Sequence, residues 1–131
     1  MSTTNTRITR EIHVWATVIW VECYGQDFNA IETGISEVID FVEKVDLLFS
    51  PYVNRSEVSK LRRNEITIEE CDPLVQEVWQ LCLAAKGFTD GAFDPWAVKG
   101  GFDPSGYVKG WAADKCIEIL KKHGATSIQV N

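Results

Sequence analysis

The residues best suited to chemistry lie in one stretch, residues 88–114, which holds five of the nine glycines and four aspartates. Glycine allows positive φ and a close approach of the backbone to a ligand. Carboxylates suit a divalent cation, and lysine suits a phosphate. The composition indicates a binding loop for a phosphorylated ligand. The same residue types also form plain surface turns, so that interpretation stays open beside it.

The unit Phe-Asp-Pro occurs twice in this stretch, at residues 93–95 and 102–104. Each copy places an apolar anchor, a carboxylate and the fixed φ of proline side by side. Such a unit can hold a carboxylate in one direction. The repeat therefore favours a binding loop over a plain turn.

The elements that would position this loop follow from the hydrophobic pattern. Alternation predicts one long or two successive strands over residues 7–24, and helical spacing predicts a long helix over residues 27–49. Further helices are predicted over residues 56–63 with Ser56 as the cap, from Asp72 to Gly87, and from about 110 to 123 with an end at Gly124. Short strands are predicted over residues 66–68 and 126–130. This order predicts an α+β fold in a single domain, residues 1–131.

Composition narrows the classes of partner. A net charge of −6 argues against nucleic acid as a partner, because a phosphate backbone demands a basic face and the sequence shows none. No apolar run reaches transmembrane length and the first residues form no apolar leader, so a cytoplasmic protein without a membrane partner is expected. The four cysteines show no metal-binding spacing, which predicts buried free thiols in a reducing compartment.

The loop carries a resemblance to a known family. TDGAFDP at residues 89–95, followed by DPSGYVKGWAAD at 103–114, resembles the signature of the FAD:protein FMN transferases, the ApbE-like flavin transferases. Upstream, FSPY at 49–52 and SEVSKL at 56–61 are similar to that family's S-x-Y and S-E-[IL]-x-x-[LF]-N block, and VWAT at 14–17 stands where the family has a Met-Gly-Thr strand. The resemblance covers nearly the whole chain. It implies a two-layer α/β sandwich with a mainly antiparallel, T-fold-like sheet.

The resemblance also implies an activity, the Mg²⁺-dependent transfer of FMN from FAD to a Ser or Thr hydroxyl of an acceptor protein, with release of AMP. The resemblance assigns a triplet to the site, Asp103, Gly106 and Lys109. Its three-residue spacing can turn the three positions to one side as the loop enters a helix. The resemblance assigns the main-chain oxygen of Gly106 to magnesium. The residues it assigns to FAD contact are Trp15, Tyr52, Ala92, Phe93, Asp94, Asp103 and Lys109.

The family continues beyond the point that matches Asn131 into a second half, which holds a metal-binding aspartate and threonine. The resemblance therefore implies a fold that is incomplete at the C-terminus, with the catalytic residues in the missing half. Two other classes stay open: a non-catalytic flavin- or nucleotide-binding module, and an interaction domain whose loop is structural. An open sheet edge in such a half-fold predicts a homodimer.

Overall fold

The computed structural model describes residues 5–15 and 17–131. Within these residues the chain forms three strands and four α-helices, and a single 3-10 turn, Ile68–Glu70, lies before the third helix. The elements in chain order are β1 (Thr6–Val14), β2 (Thr17–Gly25), α1 (Phe28–Phe49), α2 (Glu57–Arg62), α3 (Pro73–Phe88), α4 (Ser105–Lys122) and β3 (Thr126–Val130). The predicted α+β class is confirmed.

The three strands form one antiparallel sheet in the order β1-β2-β3. A two-residue connection joins β1 to β2, and Trp15 in it has a φ of 58°, as the primed turns of tight hairpins require. One extra residue in β3 shifts its register against β2 between Glu22 and Tyr24, and Ser127 in this bulge has a φ of 49°. The prediction of a mainly antiparallel sheet is confirmed.

The chain divides into two compact units, Met1–Lys44 with Trp111–Asn131, and Val45–Gly110. The prediction of one domain over residues 1–131 stays a prediction. In the first unit, alternate residues of the sheet and one stripe of α1 bury their side chains together with residues of α4. The buried members of this core are Ile8, Ile12, Ile19, Val21, Cys23, Ile31, Ile35, Val38, Val42, Cys116, Leu120 and Ala125.

The second unit contains the glycine-rich stretch and the helices that position it. The predicted cap of α2 is confirmed, because the hydroxyl of Ser56 accepts a hydrogen bond from the N–H of Ser59 at 3.1 Å. The predicted start of α3 is confirmed as well, since Asp72 Oδ1 accepts from the N–H of Leu74 at 2.9 Å and Pro73 is the first helical residue. Both helices therefore begin where the sequence predicts.

The strand predicted over residues 66–68 is wrong. Thr67 and Glu70 form a capping box there, with the Thr67 N–H donating to Glu70 Oε1 at 3.0 Å. This closes a 3-10 turn and removes the extended conformation that a strand needs. The same box lowers the pKa of the Glu70 carboxyl, because the main chain and hydroxyl of Thr67 donate to it.

The predicted start of the last helix, at about Gly110, is also wrong, since α4 begins at Ser105. Asp103 Oδ1 accepts from the Ser105 N–H at 3.0 Å and so satisfies the first turn. Val108 is buried, which anchors that turn by packing. These contacts outweigh the cost of about 1 kcal/mol that each helical glycine carries. Gly106 therefore lies in the helix and not in a loop before it.

Candidate functional site

The two Phe-Asp-Pro units meet in the structure. The N–H of Asp103, in the second unit, donates to the carbonyl of Pro95, in the first, at 2.9 Å. Three rings from this region pack together: Trp79 lies 5.0 Å from Trp96 and 4.7 Å from Phe102, centroid to centroid. Trp96 and Phe102 are 5.2 Å apart. The segment between the two units is therefore a loop closed by the hydrogen bond from Asp103 to Pro95. Trp96 and Phe102, near its two ends, pack on Trp79 of α3.

Asp94 is held by two contacts. Its Oδ1 accepts from the N–H of Trp96 at 3.0 Å, and its Oδ2 lies 3.4 Å from the Nζ of Lys86. The same Nζ lies 5.8 Å from the centre of the Trp96 ring. A ligand that takes a contact from Asp94 would therefore compete with a half-exposed lysine on α3.

Asp103 uses one carboxylate oxygen to begin α4. Its Oδ1 accepts from both the N–H and the hydroxyl of Ser105. Its Oδ2 has no hydrogen-bond partner among residues 5–15 and 17–131. The side chain is half-buried, so this second oxygen is the one a ligand can reach.

Phe93 lies against the first turn of α4. Its Cε2 is 3.9 Å from the position that a Cβ on Gly106 would occupy, and its ring centre is 6.2 Å from that of Tyr107. The N–H of Phe93 donates to the hydroxyl of Thr89 at 2.9 Å, which fixes the approach of the chain. The structure therefore brings together two pieces that the sequence marks separately, Phe93 and Gly106.

Lys109 follows Gly106 by three residues on α4, and positions three apart share a helix face. Its side chain is exposed and makes no ion pair with any residue that the structure describes. Ala92, beside Phe93, is exposed too. This part of the predicted set presents one free cation near an exposed helix start.

Tyr52 stands apart from these residues. It is 95% exposed and makes no ring contact within the described part of the chain. Its segment is nevertheless fixed, because the buried Ser56 hydroxyl donates to the carbonyl of Ser50 at 2.6 Å. The Ser59 hydroxyl donates to the carbonyls of Ser50 and Pro51 at 3.4 Å. The structure thus holds the loop and leaves the ring in solvent.

Trp15 belongs to the first unit, where its half-buried side chain packs against the core. The strand position that the sequence suggests for it is corrected by its φ of 58° in the hairpin turn. Ala16, its neighbour in the family block, lies outside the described residues. The first unit also has a polar cleft of about 460 Å³ beside Asp27, His123 and Thr126. That cleft contains none of the predicted site residues.

Solved flavin transferases share this arrangement of elements. The flavin transferase ApbE from Vibrio cholerae matches 98% of this chain with a TM-score of 0.78 and 16% sequence identity. The ApbE protein from Thermotoga maritima matches 95% of it at 0.79 and 18%. The Pseudomonas stutzeri flavinyl transferase ApbE, in its apo form, matches 100% of it at 0.79 and 16%. This chain has the fold of the ApbE flavin transferases.

The resemblance that the sequence motifs predict is confirmed at the level of the fold. The match covers 57% of each of these three ApbE chains, so this chain spans a little over half of their length. No family model matches the sequence, and no curated protein matches it. The ApbE fold is therefore established by structure, while the motif residues carry the case for function.

One residue that contacts the loop was missed by the sequence argument. Arg62, the last residue of α2, donates from Nη2 to the carbonyl of Lys99 at 2.9 Å. It also donates from Nη1 to the carbonyls of Gly101 and Phe102 at 3.1 and 3.3 Å. Its contacts with the loop could not be predicted from local spacing, because its partners lie 37 to 40 residues away.

The described side chains form no cluster of metal ligands. Among residues 5–15 and 17–131, no three His, Cys, Asp or Glu side chains come together where they could hold a metal ion. Burial raises the pKa of the Asp46 carboxyl on α1, because it disfavours the charged form. On this chain, the oxygen that the resemblance assigns to magnesium is a main-chain one.

Proposed function

We propose that this chain is the FAD-binding part of a magnesium-dependent FAD:protein FMN transferase. The whole enzyme would move FMN from FAD to a Ser or Thr hydroxyl of an acceptor protein and release AMP. The observation that carries the proposal is the junction of the two Phe-Asp-Pro units at the start of α4, on the ApbE fold. Neither the fold nor the motif alone would be sufficient.

The start of α4 suits a pyrophosphate. Ser105 and Gly106 are exposed there, and the dipole of a helix N-terminus favours anions. Within the described residues the Gly106 N–H is the one of the first turn left for a ligand, because Ser105 donates to Asp103 Oδ1 and both Tyr107 and Val108 donate to the Pro104 carbonyl. Lys109 adds a cation one turn further on, and it has no competing carboxylate among the described residues. We assign the phosphates of FAD to this helix start, with Lys109 as their charged partner.

The loop before α4 suits the rest of the ligand. Asp103 can accept a hydrogen bond from a hydroxyl group of the ligand with its second carboxylate oxygen. Asp94 can do the same if the ligand hydroxyl replaces the contact of Oδ2 with Lys86. Phe93 gives an apolar ring beside them, with Ala92 next to it. Tyr52, almost fully exposed, can pack on the isoalloxazine ring without first leaving a core. The resemblance also assigns FAD contact to Trp15.

Magnesium fits this chain only in part. Gly106 lies in the first turn of α4, and a carbonyl oxygen that serves the helix keeps a second lone pair for another contact. The described side chains add no cluster of metal ligands, so the other ligands and the catalytic residues would come from a second half. Bound magnesium would neutralise charge on the pyrophosphate oxygens. This chain's own residues bind and orient the donor.

A second candidate is a flavin- or nucleotide-binding module without catalysis. The absence of a metal-ligand cluster among the described side chains favours this candidate. The two candidates differ in one measurement. Both require FAD binding, whereas a transferase also requires FMN transfer once the remaining part of an ApbE fold is supplied.

We further propose a cytoplasmic protein that acts on an acceptor flavoprotein, binds no nucleic acid and forms a homodimer. All four cysteines are free and buried, as suits a reducing compartment. Within the described residues β1 and β3 each have one unpaired edge, and a second copy can cover such an edge. None of the described helices is long and apolar enough to span a membrane. Light scattering at high concentration tests the dimer, which a clean monomer would exclude.

The proposal is tested by FAD titration, with flavin fluorescence as the readout. Lys109→Ala should weaken FAD binding about tenfold to a hundredfold, the effect of losing one charge-assisted hydrogen bond. Lys99→Ala is the matched control, because that exposed lysine lies in the same loop and only its main-chain carbonyl makes a contact. Equal affinities of the two variants, or no binding by the unmodified chain, would overturn the proposal.

The transfer step is tested separately with FAD, Mg²⁺ and a peptide that carries a Ser or Thr acceptor. The chain alone should transfer no FMN, because the side chains of its described residues do not complete a metal centre. Turnover by the 131-residue chain would show that the metal site has been misplaced.

A further inference from the structure

We infer that Arg62 is the positioning residue of the proposed FAD-binding loop. From the end of α2 it fixes the main chain of residues 99–102, and through that segment the direction of the Asp103 carboxylate. The role assigned to the ligand rests on the proposed function. The role in the loop rests on the contacts of Arg62 alone.

The first argument is the number of carbonyls that one guanidinium holds. Arg62 donates to Lys99, Gly101 and Phe102 at 2.9, 3.1 and 3.3 Å. These carbonyls lie in a segment without helix or strand, where the main chain has no ladder of its own. The guanidinium spreads five N–H donors over three nitrogens in a fixed plane and so reaches acceptors several ångströms apart, whereas the three donors of an ammonium group share one nitrogen.

The second argument is that the loop leaves space for the guanidinium where a side chain would stand. Gly100 has a φ of 91°, and a Cβ built there would lie 2.5 Å from Arg62 Nη2. Gly101, at a φ of 98°, follows it, and a Cβ there would meet nothing within 4 Å. The first glycine therefore makes room for Arg62, and both provide the turn.

The third argument links the hydrogen bonds of Arg62 to the Lys99, Gly101 and Phe102 carbonyls, called the clamp below, to the site. Phe102, whose carbonyl Arg62 holds, is only 4% exposed and packs on the rings of Trp79 and Trp96. The next residue, Asp103, is fixed by its N–H to Pro95 and by its Oδ1 to the first turn of α4. Asp103 thus lies between a clamped residue and a helix start. Without the Arg62 hydrogen bonds, the main chain on the N-terminal side of Asp103 loses this restraint, while its contact with the first turn of α4 remains.

The test compares Arg62→Ala with Arg63→Ala by hydrogen–deuterium exchange without ligand. Arg63 is the matched control because it is the adjacent arginine but contacts Asn54 and Glu65 instead of the loop. In Arg62→Ala, amide exchange over residues 98–105 should accelerate about tenfold, the equivalent of one charge-assisted hydrogen bond. Exchange in α3 should stay unchanged. Arg62→Lys should not restore protection fully, since it replaces the fork by a single donor group.

Two exchange results would overturn the inference. Unchanged exchange over residues 98–105 would show that Arg62 does not hold the loop. Equal acceleration in α3 and in the loop would show that it supports only the general stability of the unit. Arg62→Lys with full protection would remove the argument from the fork geometry.

FAD titration then tests the link to Asp103. Arg62→Ala should weaken binding about tenfold, and adding Asp103→Asn to it should weaken binding less than Asp103→Asn does in the unmodified chain. Independent, additive losses would overturn the link. If the unmodified chain binds no FAD, the proposed function fails, while the exchange result still decides whether Arg62 holds the loop.

Discussion

Replacing Gly100 with alanine should destabilise this chain more than the same replacement at Gly101. Both glycines have φ values near 90–100°, namely 91° and 98°, which alanine adopts only under strain. Only the alanine at position 100 would also collide with a neighbour, Arg62 Nη2 at 2.5 Å. The pair of substitutions therefore separates backbone strain from the loss of the Arg62 contact.

The magnitudes follow from these two effects. Backbone strain of this kind costs about 1–3 kcal/mol and applies at both positions. Because the guanidinium is the far end of a flexible side chain, it can move aside at position 100. It then loses its hydrogen bond to the Lys99 carbonyl, which a charged donor makes worth about 1.5–3 kcal/mol. That bond is exposed, so we expect the lower end, an excess of about 1.5 kcal/mol for Gly100→Ala.

The assay is urea unfolding followed by tryptophan fluorescence, with Trp79 and Trp96 beside the loop as reporters. With a slope of about 1.5 kcal/mol per molar urea, the excess should separate the two midpoints by about 1 M. In an Arg62→Ala background the two glycine variants should become equal, since the colliding group is gone. Equal midpoints in the unmodified background would refute the clamp as a source of stability.

Three further predictions concern stability. Ser56→Ala should cost about 1–2 kcal/mol by removing the cap of α2, measured by thermal unfolding. Phe102→Ala should cost about 3–5 kcal/mol in urea, whereas Phe88→Ala, at a 91% exposed residue, should cost little. Burial raises the pKa of the Cys116 thiol to about 12 from 9.0, so the folded state resists an ionisation that the unfolded state undergoes. Stability should therefore fall above pH 9, and Cys116→Val should make that fall shallower in unfolding curves between pH 8 and 10.5.

The sequence predicts most elements because their signals are local. The strands beside the hairpin alternate in period two, and α1 carries a stripe of apolar residues that fits only a helix. Capping residues fix the starts of α2 and α3. The start of α4 could not be predicted in this way, because the packing of Val108 outweighs the low helix propensity of Gly106. Propensity is a weak guide wherever tertiary contacts oppose it.

In the candidate site, too, the residues within a short motif could be predicted and a residue with distant contacts could not. Residues in the two Phe-Asp-Pro units can be found from a short motif, and the structure brings Phe93, Asp103 and Gly106 close to one another. Arg62 could not be found, because its contacts join residues almost 40 positions apart. Hydrogen bonds from a side chain to main-chain carbonyls place no demand on the residue type of the acceptor. Such contacts leave no pattern in a sequence.

The burial of all four cysteines has a practical consequence for spectroscopy. The thiols of Cys71, Cys82 and Cys116 have pKa values raised to about 11, 11 and 12, so near neutral pH they present no thiolate to a maleimide dye. Cysteine introduced in place of Phe88, at the exposed end of α3, would then be the site of labelling without removal of any native thiol. A donor dye at that position would report a bound flavin by energy transfer, with the rest of the chain unaltered.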